Sequence, residues 1–310
     1  MSGIHHVTAI AGKPNVNLRF YTRTLGLRFV KKTVNFDDPG TYHFYYGDEA
    51  GRPGTILTFF PWQHAGPGRG GVGLAQTTAF RVPAHSIGFW THRLVEAGVE
   101  HETPAKRFGE TVLDFRDPDG MRLSLVGVPG AEAEPAWLGG DIPAEHAIRG
   151  FYGVTLLLED AGPTGDVLTD VLGFERAGSE GALARFKAGS AAGGIVDIRE
   201  AKGFLPGRRG RGSVHHVAFR AANDAEQAEM ARKLADTHGL RPTGQIDRQY
   251  FRSVYFNEPG GILFEIATDE PGFTVDEPLT ALGTDLKLPS FLEPRRQELE
   301  AVLPPLEAAT

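Results

Sequence analysis

The sequence contains no cysteine. That absence excludes disulfides, thiolate metal sites, iron–sulfur clusters and cysteine nucleophiles, so any metal chemistry has to use histidine and carboxylate. There is also no apolar run approaching the roughly 18 residues of a membrane span, and no charged-then-apolar leader before Ile4, where the first strand-like segment begins. A soluble cytoplasmic protein with no membrane partner is expected. Positive charge is scarce: the formal net charge is −7, and the longest basic cluster is Arg208-Arg209-Gly210-Arg211. That loop reads as solvated, and a nucleic-acid partner has no electrostatic support. With 41% hydrophobic and 23% charged residues, the 310-residue chain has globular composition and is long enough for one large or two ordinary domains.

What the sequence does have is a short strand pattern used twice. Gly3-Ile4-His5-His6-Val7-Thr8-Ala9 near the N-terminus returns as Ser213-Val214-His215-His216-Val217-Ala218-Phe219. Successive side chains of a strand point to opposite faces, so at most one histidine of each pair is expected to face a shared cavity. A nearby strand, Gly261 to Ala267, selects which one. Its Ile262, Phe264 and Ile266 form a bulky face that asks for a helix layer, and the lone carboxylate Glu265 lies on the other face. In the same phase Val217 and Phe219 pack with helices beside His215, whereas His216, Ala218 and Arg220 face the cavity. His6, His216 and Glu265 are therefore the candidate metal ligands. Two imidazoles and one carboxylate with open positions form the facial triad whose usual occupant is non-haem Fe(II).

Internal repeats extend along the chain. Gly26-Leu27, Gly98-Val99, Gly173-Phe174 and Gly239-Leu240 each read as a helix-ending glycine followed by an apolar residue. Helices are expected at Leu18 to Leu25, Ile87 to Ala97, Gly165 to Leu172 and Ala225 to His238. The glycines lie 20 residues after His6, Thr78 and Gly153 (26 − 6, 98 − 78, 173 − 153) and 23 after His216 (239 − 216). Extended segments separated by turn residues follow each cap, so each unit is strand, helix and three strands. The first-strand equivalents are then His6, Thr78, Gly153 and His216, and the last-strand equivalents are Thr58, Ser124, Asp197 and Glu265. Only the first and fourth units supply imidazole. The middle two are too poor in donors to hold a divalent ion and read as structural copies.

The expected organisation is two units in residues 1–128, a Pro/Gly/Ala/Glu-rich linker at 129–149, two units in 150–272, and a tail at 273–310. A short helix in that tail, Arg295 to Val302, is expected to dock through Leu299 and Val302 on the body or on another subunit. His43, His64, His85, His92, His101, His146 and His238 have no repeat relation and read as ordinary surface or packing residues.

These units resemble the βαβββ modules of the vicinal oxygen chelate superfamily, and Phe20-Tyr21-Thr22-Arg23-Thr24-Leu25-Gly26-Leu27 and Val171-Leu172-Gly173-Phe174 resemble its most recognisable pattern. The resemblance implies an α+β fold in which four modules form two curled eight-stranded sheet cups with helices outside. Ligands in the first and fourth modules resemble the hydroquinone ring-cleaving dioxygenases, whereas catechol 2,3-dioxygenases use the third and fourth; here Tyr152-Gly153 stands at the third-module position. By that resemblance Thr8, Arg248 and Tyr255 match pocket positions, as do His5 and His215, against the alternation argument unless the strand start is twisted. The implied activity is extradiol-type cleavage of a hydroquinone-like aromatic, substituted and chlorinated rings included, by Fe(II), with Mn(II) as the alternative ion, and with O2 as co-substrate. A dimer or tetramer of identical chains is expected. The rival readings are a glyoxalase-like lyase or isomerase, which normally needs a second carboxylate at the Thr58 position, a catechol 2,3-dioxygenase, and a metal-free small-molecule binding protein.

Overall fold

A computed structural model describes residues 2–307. Module one runs β1 (Ile4–Ala11), α1 (Pro14–Arg19) with a π-helical turn at Phe20–Thr24, then β2 (Arg28–Asn35), β3 (Asp38–Gly47) and β4 (Ile56–Pro61). Module two is β5 (Leu74–Pro83), α2 (Ile87–Glu96), β6 (Ala105–Arg107), β7 (Glu110–Arg116) and β8 (Arg122–Val128). Module three is β9 (Phe151–Leu158), α3 (Gly162–Asp170), β10 (Glu175–Glu180), β11 (Leu183–Lys187) and β12 (Ile195–Glu200). Module four is β13 (Ser213–Ala221), α4 (Asp224–His238), β14 (Ile246–Asp247), β15 (Arg252–Asn257) and β16 (Leu263–Thr268). The chain ends in 3-10 turns and α5 (Arg296–Val302).

All four helix-ending glycines, Gly26, Gly98, Gly173 and Gly239, have φ between 63° and 72°, the left-handed conformation that favours glycine. The first helix begins earlier than expected, because Pro14 lacks an N–H and fits the first helical turn, where no partner is needed. Toward the other end of the described residues Leu299 is buried against the body, whereas Val302 is exposed.

Each of the two curled sheets has eight strands. Modules one and four share one, in the order β14-β15-β16-β13-β1-β4-β3-β2, and modules two and three share the other, β10-β11-β12-β9-β5-β8-β7-β6. The outer modules therefore meet at the centre of one cup, where β1 and β13 pair antiparallel. The strand faces bearing Val7, Val217, Phe219, Phe264 and Ile266 enter one continuous apolar core with Leu18, Trp90, Leu168 and Leu234 of the four helices. Burying each such side chain contributes about 1.5–3 kcal/mol, which fixes the strand phase and leaves the opposite faces to the cups. Phe219, Phe256 and Phe264 all lie in this core rather than in the cup.

Register corrects one equivalence. Glu265 pairs with Ala218, two residues after His216, and Thr58 pairs with Thr8, two residues after His6. In module two Ser124 pairs with Ala79, so the counterpart of His6 is Thr77 rather than Thr78. The constant 20-residue spacing to the helix cap misleads there, because helix and connection lengths need not match between modules.

Candidate metal centre

His6 on β1, His216 on β13 and Glu265 on β16 converge at the floor of the first cup, all buried. Glu265 Oε2 lies 3.3 Å from His6 Nε2 and 3.0 Å from His216 Nε2, and the two Nε2 atoms are 3.4 Å apart. Oε2 is sealed from solvent yet makes no well-aligned hydrogen bond, an arrangement that costs free energy unless something else satisfies it. Donors about 2.1 Å from a common ion are roughly 3.0 Å apart at right angles and 3.4 Å apart at tetrahedral angles. The observed triangle matches that span, and the three residues fit a divalent ion. Burial would raise the Glu265 pKa, but the adjacent His6 and His216 hold it well below the usual range. Burial likewise lowers His216, favouring the neutral imidazole a metal needs.

The carboxylate and both rings are oriented from behind. Ser253 on β15 donates its hydroxyl to Glu265 Oε1 at 2.5 Å, leaving Oε2 to point at the histidines. His6 Nδ1 is 2.9 Å from His5 Nδ1, and His216 Nδ1 is 2.8 Å from His215 Nδ1. Each histidine pair is thus one hydrogen-bonded unit, although simple alternation would separate its members. Paired β-bulges explain this. Ile4 pairs with Phe219 and His6 with Ala218, so His5 is the extra residue on β1; Thr8 pairs with His216 and Ala9 with Val214, so His215 is the extra residue on β13. A bulge re-aims a side chain in this way. Burial keeps His5 well below its ordinary pKa and pushes His215 down to about 3.

Above the triad is a cavity of about 290 Å³ lined by His6, His43, Phe60, Trp62, Arg248 and Tyr255 among others. Arg248 Nε donates to the Tyr255 hydroxyl at 3.3 Å, and its terminal nitrogen is 3.0 Å from Asp37 on the β2–β3 turn. Tyr255 sits directly opposite Glu265 in the sheet, and its pKa is raised, chiefly by burial and then by Glu265. Thr8 lies below the cavity and accepts from Thr58 at 2.8 Å. Thr58 in turn is 2.9 Å from His43 Nε2, whose Nδ1 is 2.9 Å from the Tyr45 hydroxyl. If Thr58 donates to Thr8, His43 carries its proton on Nε2 and accepts from Tyr45, which satisfies every group in the chain.

The structure thus brings His5, His6, Thr8, His215, His216, Arg248, Tyr255 and Glu265 to one end of one cup. His43 belongs there too, against the expectation of an ordinary packing residue. It alternates with Tyr42 and Phe44 of the helix-facing layer, and that period-2 pattern on β3 was the available signal. Ser253 shares the Tyr255 face of β15, opposite Val254 and Phe256, as the alternation of that segment implies. Phe251, packed 4.8 Å from the His6 ring and 5.1 Å from His5, lies on an irregular turn that carries no such pattern.

The second cup shows why the middle modules hold no such triad. Gly153 takes the place of His216, where an added Cβ would come 2.1 Å from the Ile195 carbonyl oxygen. Thr77 takes the place of His6, and Asp197 is held by two 2.8 Å bonds from Arg185 on the neighbouring strand. Arg185 also donates to the Tyr152 hydroxyl at 2.8 Å. A fixed guanidinium there neutralises the carboxylate that an ion would otherwise use.

A cup-forming pair of βαβββ modules with two histidines and one glutamate at its floor defines a class of metal-site proteins, and comparison with known proteins agrees. The family model "Glyoxalase/Bleomycin resistance protein/Dioxygenase superfamily" matches residues 3–125 and 154–266, and the chain belongs to that superfamily. The chain is 46% identical over 98% of its length to "Putative ring-cleaving dioxygenase MhqE" of Bacillus subtilis, covering 99% of that protein. It is 32% identical to "Chlorohydroquinone/hydroquinone 1,2-dioxygenase" of Sphingobium indicum, covering 96% of this chain and 95% of that one. A solved structure described as a putative dioxygenase from Bacillus subtilis superimposes with a TM-score of 0.94 at 45% identity, covering 99% of this chain and 97% of that chain.

Proposed function

We propose that the protein is an Fe(II)-dependent dioxygenase that cleaves the ring of a hydroquinone-like aromatic. The observation that carries this reading is the buried His6, His216 and Glu265 triangle opening into an aromatic-lined cavity with Arg248 and Tyr255 on its wall. The names of full-length relatives, one of them a hydroquinone 1,2-dioxygenase, support it. His6, His216 and Glu265 would hold the ion. When bound, Fe(II) supplies Lewis acidity toward a substrate hydroxyl and an electron path between an electron-rich ring and O2.

The remaining chemistry belongs to the chain. Phe60, Trp62 and Phe251 line the cavity and offer ring faces and edges to an aromatic substrate while excluding water. A para-diol reaches the triad through one oxygen, and Arg248 is the cation available to its far side. Arg248 would also stabilise oxyanion charge as it develops, and the Tyr255 hydroxyl, kept protonated by its raised pKa, would donate to the reacting oxygens. His215 lines the cavity as a neutral imidazole and offers the substrate hydroxyl a hydrogen-bond partner. His5 holds the His6 ring from behind, and Thr8 ties the strand under His216 to the Thr58–His43 chain. A glyoxalase-like reading lacks its fourth ligand: Thr58 carries no carboxylate, and its hydroxyl is engaged by Thr8 and His43.

The test is anaerobic reconstitution with Fe(II) followed by an O2-uptake screen over hydroquinones, catechols and the methylglyoxal–glutathione adduct. O2 consumption with the diols and none with the adduct is expected. Conversion of the adduct without O2 uptake would replace the dioxygenase reading by the lyase one.

A further inference from the structure

The first cup is open between its two edge strands, β2 of module one and β14 of module four. Residues 273–288 of the tail cross that opening. Phe273 and Leu282 enter a small apolar cluster with Val30, Tyr45, Tyr250 and Phe251 on the cup's concave side. Phe273 stacks on Tyr250 with ring centres 5.0 Å apart and meets Tyr45 edge-on at 5.1 Å.

Beside that cluster a single carboxylate ties the two edges together. Asp276 Oδ1 accepts from the fully buried Lys31 Nζ of β2 at 2.6 Å. Its Oδ2 accepts from Gln249 Nε2 at 2.7 Å and from the Tyr250 hydroxyl at 2.9 Å. Lys31 is shared with Glu277 at 2.5 Å and lies 5.1 Å from the centre of the Tyr250 ring. Gln249 and Tyr250 are the middle of the turn whose ends, Arg248 and Phe251, line the cavity. That turn is bonded locally, with the Gln249 N–H donating to Asp247 Oδ1 at 2.7 Å, but it is strained: Gln249 has φ of +68°, one of two non-glycine residues with positive φ among those described. Such a conformation is unfavourable for a residue with a side chain and persists only where its surroundings hold it.

We propose that Asp276 is a positioning residue for the site: by gripping Gln249 and Tyr250 from the tail it sets the turn that puts Arg248 over the cavity and Phe251 against the His6 ring. The tail is then part of the active-site wall. This inference rests on the proposed function for its catalytic consequence but not for its structural one.

The test is therefore read first without turnover, by amide hydrogen exchange on the full-length Asp276→Asn protein. Replacing the carboxylate removes the charge that Lys31 and the two turn donors share. Exchange at residues 247–252 is expected to accelerate about tenfold or more, as for loss of a buried charge-assisted hydrogen bond, with the exchange of β1 and β13 and the bound metal content unchanged. Unchanged exchange at 247–252 overturns the proposal. If Asp276→Asn does not fold, Gln249→Ala with Tyr250→Phe removes the same two bonds from the turn side, and unaltered exchange there overturns it equally. On an active enzyme, Asp276→Asn should lower kcat/KM at least tenfold in the wild type but less than threefold in an Arg248→Met background. Equal losses in both backgrounds contradict positioning through Arg248, and an inactive wild type would count against the dioxygenase reading alone.

Discussion

Ser253→Ala tests whether the carboxylate ligand is oriented from behind. The Ser253 hydroxyl is completely buried and sits 2.5 Å from Glu265 Oε1, where it is the hydrogen-bond donor to that oxygen. Hydrogen bonds to charged groups are worth roughly 1.5–3 kcal/mol, and loss of a partner that orients a metal ligand typically weakens metal affinity about 10–100-fold. The alanine removes one oxygen at a site with no room for solvent to replace it, so the carboxylate gains a rotation the ion must reverse. A 10–100-fold rise in the metal Kd, or about 1.4–2.7 kcal/mol, is expected in a competitive chelator titration. Wild-type affinity in Ser253→Ala would refute the reasoning, because Glu265 would then be held without Ser253.

The other predictions follow from the same geometry. His6→Ala, His216→Ala and Glu265→Ala should each abolish metal retention by elemental analysis, whereas His5→Ala and His215→Ala should retain the ion and lose turnover. An ion-replete His6→Ala would remove the site that joins modules one and four. Tyr255→Phe should lower kcat more than it raises KM, the mark of a donor acting mainly in the transition state. His5, His43 and His216 are buried and titrate below the ordinary value. The unfolded chain, with histidines near 6.5, therefore binds more protons than the metal-free folded protein below that pH. Stability is lost as pH falls from about 6.5, by up to about 1.4 kcal/mol per unit for each such imidazole. His43→Gln should flatten denaturant-derived stability against pH by roughly that slope, and an unchanged slope would mean that His43 is charged in the folded state.

Much of the architecture is legible in the sequence because it is written in local signals. Glycines at helix ends and alternating bulky residues on Gly261 to Ala267 fix the modules and the strand phase, and with them the convergence of His6, His216 and Glu265. Features that depend on a departure from regular geometry are not legible in that way. His5 and His215 are turned beside their neighbours by bulges, which alternation cannot anticipate, and one extra residue between the first strand and the helix cap of module two made Thr78 stand in for Thr77. The pairing of module one with module four is long-range, and only the shared histidine pattern hints at it. His43 was missed because its role comes from partners on β4 and on its own strand, Thr58 and Tyr45, rather than from any repeat. The grip of Asp276 on the Arg248 turn joins residues separated by the whole of β15 and β16 and leaves no local pattern.

The central claim is that an ion held by two histidines and one glutamate leaves room for a hydroquinone hydroxyl while Arg248 and Tyr255 serve the rest of the ring. Steady-state O2 uptake by the Fe(II)-loaded protein, with matched hydroquinone and catechol pairs bearing the same substituent, tests it most directly. The account predicts a higher kcat/KM for each hydroquinone, with the difference reduced in Arg248→Met. A clear preference for catechols, undiminished by that substitution, would contradict it.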